Sequence, residues 1–235
     1  MTALPAVRQL VFLAADLDAT LADARRELGL GEGITDAEGM AALGFVHRVL
    51  TIDQTFLEFT APLGPDTVPG RLVARRGDLG YMVVVQVADI AAVRTRALAR
   101  GLRPVMETPY ENHSITQWHP RDFGTLIEID QIRPPDSWHM APRIFETGST
   151  EVVQDVTAVE LAVPDPVAVA ATWSAVLDVP VGSDGVSLDL SGRAVHFRPV
   201  GDDGRTGLVA VDLPATDRAD AGRTLTLSGV EFHLR

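Results

Sequence analysis

"QLVFLAADLD", residues 9–18, is an apolar run that ends at Asp16 and then turns polar. A strand-like run closed by an aspartate marks the handover from strand to helix, because the carboxylate accepts from free amides of the first helical turn. "ATLADARRELGL" then supplies an amphipathic helix. One such aspartate has a purely local reading. The pattern returns in "MVVVQVADIA", 82–91, where Asp89 precedes "AAVRTRALARGL". It returns again in "AVELAVPDPV", 158–167, where Asp165 precedes "AVAATWSAVLDV". Three aspartates at matching offsets make a repeat.

Strand patterns follow each helix. After the first come 43–52 and 54–61; after the second 104–108, 112–119 and 124–131; after the third 185–190 and 193–199. The unit is β-α-β-β-β. "GLVAVDL", "RTLTLS" and "GVEFHLR" within 205–235 leave little room for a helix and read as a shortened fourth unit. "RPPDSWHMAPRIFETGST", 133–150, is proline-rich and polar and reads as a linker. The expected class is α+β, with a domain of two paired modules over 1–135, a linker over 136–151 and a reduced second domain over 152–235.

Composition narrows the function. A net charge of −12 argues against nucleic acid, which needs a basic face to meet phosphates. No apolar run approaches the ~18–20 residues that span a membrane. "LVFLAADLD" is interrupted by Asp16 and Asp18 and makes a poor signal peptide, so the expected compartment is the cytoplasm. There is no cysteine, and all 20 basic residues are arginine. Thiol nucleophiles, zinc–thiolate sites, Schiff bases and P-loops are thereby excluded. No serine-hydrolase, dinucleotide or kinase signature is present, and no organic cofactor is indicated.

One charge stands out. "HPRDFGTLIEID", 119–130, reads as a turn and a buried strand with Glu128 in its middle. An ionised carboxylate withdrawn from water pairs, binds a cation or takes a proton.

The repeat, its strand-Asp-helix openings and this segment resemble the vicinal oxygen chelate superfamily, which includes glyoxalase I, methylmalonyl-CoA epimerase, extradiol dioxygenases and drug-sequestering resistance proteins. The resemblance covers 5–131 well and 155–235 loosely. It implies paired modules whose curved sheets surround a cleft. It also implies metal ligands seven residues before the aspartate on each first strand and midway along each last strand. Those positions are Gln9, Met82, Glu58 and Glu128. Gln9, Glu58 and Glu128 are suitable ligands for Mg, Mn, Co, Ni or Zn. Met82 stands where a histidine is expected, and a thioether suits none of these ions. In the second domain the same positions hold Ala158, His196 and His233, with no ligand-type residue near Val209 or Ala210. That is not the two-histidine, one-glutamate set of the dioxygenases.

The activity implied is that of a lyase, isomerase or epimerase abstracting a proton next to a carbonyl of a small molecule or thioester, with a divalent ion or without one. Glu58 and Glu128 would be ligands or base. His47, eleven residues before Glu58 as Gln117 is before Glu128, is a further candidate proton carrier, as is His113. His119-Pro120 resembles an epimerase-type element. Trp138 and His139 read as a lid or, with the tryptophan buried, as an anchor. A metal-free binding protein of the same fold is the competing class. A decayed enzyme with its glutamates tied to Arg8 or Arg48 is the third. Monomer and homodimer remain equal alternatives.

Overall fold

The computed structural model describes residues 3–235. The first module comprises β1 (Ala6–Leu13), the helix Leu17–Leu28, β2 (Phe45–Ile52) and β3 (Thr55–Pro62). The second has β4 (Leu79–Gln86), the helix Ile90–Ala99, β5 (Pro104–Tyr110), β6 (His113–Trp118) and β7 (Leu126–Gln131). The third has β8 (Ala158–Val163), the helix Pro166–Leu177, β9 (Ser187–Asp189) and β10 (Ala194–Pro199). The fourth has β11 (Gly207–Leu213), β12 (Thr224–Leu227) and β13 (Val230–Leu234), with turns in place of a helix. The helices Ala37–Ala42 and Val68–Arg76 of the first module were not foreseen.

The three aspartates are N-caps. Asp16 accepts from the amide of Ala19 at 3.0 Å, Asp89 from Ala91 and Ala92 at 2.9 and 3.1 Å, and Asp165 from Ala168 at 3.0 Å. Such a cap stabilises a helix by about 1 kcal/mol.

Each module pairs its first strand in parallel with its last: β1 with β3, β4 with β7, β8 with β10 and β11 with β13. The strand before each last strand joins antiparallel, as β2, β6, β9 and β12. Register makes the modules comparable residue by residue. Glu58 lies opposite Val11, Glu128 opposite Val84, His196 opposite Glu160 and His233 opposite Asp212. Two residues before each partner stand Gln9, Met82, Ala158 and Ala210, the first-strand positions expected from the repeat.

The chain divides into two compact units, neither continuous in sequence. One, here the Glu58 unit, contains Gln9–Tyr81, Met140–Thr157 and Ala210–Arg235. The other, the Glu128 unit, contains residues 3–8, Met82–His139 and Ala158–Val209. The first module is thus grouped with the fourth and the second with the third. Aromatic packing within each unit gives the reason for this grouping. In the Glu58 unit Phe12 of β1 stacks on Phe59 at 5.1 Å and meets Phe232 of β13 at 5.2 Å. In the Glu128 unit Trp173 lies 6.3 Å from Phe123 and 5.6 Å from Phe197, and its indole N–H donates to the Phe123 carbonyl at 2.9 Å. Each fully buried aromatic contributes roughly 1.5–3 kcal/mol. Gly124 beside them has φ +79°, and a Cβ there would lie 2.4 Å from Val163. Only glycine fits that approach.

The stretch expected as a linker is packed. Trp138 is fully buried in the Glu128 unit, while Ile144 is buried in the Glu58 unit, its carbonyl accepting from Thr51 Oγ1 at 2.8 Å. The lid reading of Trp138 gives way to the anchor reading.

Candidate active site

Glu58 sits on β3 between β1 and β2, and both neighbours reach it. Gln9 stands two residues before its β1 partner and His47 two before its β2 partner Val49, so period-two alternation puts all three on one face. Gln9 Nε2 donates to Glu58 Oε2 at 2.7 Å, and His47 Nδ1 lies 2.6 Å from Glu58 Oε1. All three are buried. The backbone N–H of Asp36, which caps the helix Ala37–Ala42, donates to His47 Nε2 at 2.8 Å. A nitrogen that accepts carries no proton, so His47 is neutral and protonated at Nδ1, where it donates to Glu58. The carboxylate is therefore held by two N–H donors, the kind of charge-assisted pairing that offsets its desolvation. Tyr81 belongs to the same unit and packs on Phe45 at 5.8 Å. Burial, and then the negative charge of Glu58, raise its phenol pKa above the ordinary 10.0, so it stays protonated.

Glu128 has other company. Gln117, directly opposite on β6, donates through Nε2 to Glu128 Oε2 at 2.7 Å. Asp130, two residues on and on the same face of β7, is fully buried, and its Oδ2 lies 2.8 Å from His139 Nε2. Burial pushes the Asp130 carboxyl well above the ordinary carboxyl range. One ligand atom each from Glu128, Asp130 and His139 lie within 4.8 Å of one another.

His139 is placed by its surroundings. Its ring meets those of Trp138, His113 and Tyr110 at 4.9, 5.3 and 5.4 Å. The Arg8 guanidinium lies 4.9 Å over Trp138 and donates to Gln86 Oε1, while Gln86 Nε2 donates to the Pro135 carbonyl at 2.7 Å. His113 accepts from the Arg133 amide at 3.1 Å through Nδ1. Burial first and the neighbouring His139 second hold its pKa below the ordinary value, the nearby Glu111 acting in the opposite sense.

The expected set is therefore divided. Gln9, His47 and Glu58 meet in one unit, and Glu128 lies in the other with partners that spacing did not reveal, apart from Gln117. Met82 is buried in register with Leu126. Arg8 goes to Gln86 and Trp138, and Glu58 is bound by Gln9 and His47, which corrects the arginine-tied reading of that glutamate. His119 caps the short helix Pro120–Phe123, its Nδ1 accepting from the Arg121 amide at 3.1 Å. His196 is exposed, and His233 contacts Thr224 at 3.1 Å. The signal that could have found Asp130 is its alternation with Glu128 on one strand face. Nothing in the sequence placed His139 beside it, because that contact depends on how residues 132–138 return to the sheet.

No protein-family model and no curated protein matches the chain. Solved structures do. A hypothetical protein from Staphylococcus aureus matches with a TM-score of 0.69 and 12% identity over 97% of this chain and 98% of that one. Methylmalonyl-CoA epimerase from Mycobacterium tuberculosis matches with a TM-score of 0.46 and 25% identity, over 57% of this chain and 94% of its own. A methylmalonyl-CoA epimerase in complex with methylmalonyl-CoA and NH4+ matches with a TM-score of 0.49 and 22% identity, over 58% and 100%. The fold is α+β with paired β-α-β-β-β modules, and the match to the Staphylococcus aureus protein extends over nearly the whole chain. Among the described residues no helix is long and apolar enough to cross a membrane.

Proposed function

We propose that the chain is an enzyme that moves a proton on the carbon next to a carbonyl of a small molecule or thioester, as an isomerase or epimerase, with Glu58 as the base. The observation that carries this reading is the pair of N–H donors that fixes a buried, charged Glu58 beside a neutral imidazole. An oriented carboxylate with lone pairs still open can take a proton from carbon. A positioned base of this kind supplies roughly 10²- to 10⁴-fold in rate. Glu58 takes the proton to leave an enolate, and while it holds that proton it can exchange it with solvent; an epimerase step needs the enolate reprotonated on its opposite face by a second donor, and a lyase step would begin with the same abstraction. His47 and Gln9 are positioning residues that hold the carboxylate in one orientation throughout. Tyr81 in the same unit is kept protonated by burial and by Glu58.

The metal set implied by the resemblance does not fit the Glu58 unit. Gln9 and Glu58 offer two oxygen ligands there, and His47 has both ring nitrogens engaged.

The test is incorporation of deuterium from D2O into the carbon next to the carbonyl of methylmalonyl-CoA and of a panel of other acyl thioesters and 2-keto acids. Exchange that is lost in Glu58→Gln supports the proposal; equal exchange in the two proteins refutes it. The metal-free binding reading has one observation in its favour, that both Glu58 oxygens already carry a donor. It predicts thermal stabilisation by a compound that undergoes no exchange.

A further inference from the structure

We infer that Glu128, Asp130 and His139 form a binding site for a first-row divalent cation in the Glu128 unit. The inference is independent of the proton-transfer reading, since it concerns other residues and is measured without substrate.

Three observations carry it. The ligand atoms of the three residues all lie within 4.8 Å of one another, and the Asp130 and His139 atoms are 2.8 Å apart. Ligands at ~2.1 Å from one ion stand about 3 Å apart when adjacent and about 4.2 Å apart when opposite, so a small movement of these side chains encloses a cation. Asp130 is fully buried, and its second oxygen, Oδ1, is buried without a hydrogen-bond partner. A buried carboxylate oxygen with no donor is costly unless a cation or proton compensates it. Finally, the surroundings already hold the ligands in place. Gln117 donates to Glu128, and His139 is fixed among Trp138, His113 and Tyr110. Hydrogen bonds and packing around ligands are what set metal affinity beyond the ligands themselves.

One imidazole and two carboxylates suit Mn, Fe(II), Co, Ni or Zn better than Ca, which prefers an all-oxygen shell. The set shares Glu128 with the one the resemblance implies but replaces Gln9 and Glu58 by Asp130 and His139. It also accounts for Met82 without making the thioether a ligand. A bound ion would act there as a Lewis acid.

The experiment uses the full chain stripped with EDTA and titrated with Co(II), Mn(II) and Zn(II). Binding is read by calorimetry and, for Co(II), by visible absorption. One equivalent is expected. His139→Gln and Asp130→Asn should each raise the Kd by more than about 10-fold, since losing an outer-shell hydrogen bond alone costs ~10- to 100-fold. Glu58→Gln should leave the Kd unchanged. Far-UV circular dichroism checks folding, and where Asp130→Asn fails to fold, His139→Gln, whose side chain is partly exposed, answers the same question. The inference is overturned by three results: no binding of any of the ions, binding indifferent to His139→Gln, or binding lost with Glu58 and kept without His139.

Discussion

Glu58 and Glu128 occupy the same place in two modules. Each is buried on the last strand, opposite a valine of a parallel first strand, and each takes a 2.7 Å hydrogen bond from a glutamine amide. Their chemistry diverges through the next neighbour. Glu58 has a histidine eleven residues earlier, locked neutral by the Asp36 amide, and becomes a single oriented charge. Glu128 has the glutamine at that spacing instead, and beyond it a second carboxylate and an imidazole from outside the strands. Backbone position decides where a carboxylate points. The side chains two residues away decide whether it is equipped as a base or as a ligand.

The sharpest attempt to break this contrast compares Glu58→Gln with Glu128→Gln in the deuterium exchange assay. Exchange should fall by about 10²- to 10⁴-fold in the first and remain within about 10-fold of wild type in the second. A reversed order would make Glu128 the base. Next in size is Trp138→Ala, which removes the anchor behind His139 and should cost about 3–5 kcal/mol in urea unfolding. It should weaken Co(II) binding while leaving Glu58-dependent exchange in whatever protein remains folded.

A smaller effect is expected at His113. Its folded pKa lies below the ordinary 6.5, so it contributes stability that is present above that pH and lost as pH falls through the folded value. Urea midpoints should therefore drop as pH falls from 7 to 5, and His113→Gln should flatten that slope. The smallest is optical: in Glu58→Gln the Tyr81 phenol loses one of the two causes of its raised pKa and should titrate closer to 10.0, as read by ultraviolet absorption. An unshifted titration would mean that burial alone governs that phenol.

Much of this is legible in the sequence. Asp16, Asp89 and Asp165 announced the modules because a helix cap leaves a fixed signature next to an alternating strand. Gln9, His47 and Glu58 could be placed on neighbouring strands of one module because strand spacing is local and periodic. The aromatic contacts inside each unit were not legible, because Phe232 reaching Phe12 and Trp173 reaching Phe123 are contacts across long separations that any apolar face could make. The partner of Asp130 was hidden for a related reason. His139 lies in a proline-rich stretch whose path is set by a buried tryptophan and a backbone carbonyl, neither of which has a period to count.

Grouping the first module with the fourth also has a consequence for synthesis. Residues 9–81 leave the ribosome well before the strands of 210–235 exist, whereas the Glu128 unit is complete once residue 209 has emerged. Contacts of such sequence separation are slow to form. The unit that starts first is therefore the one that must wait, and until then the aromatic face of Phe12 and Phe59 lacks Phe232.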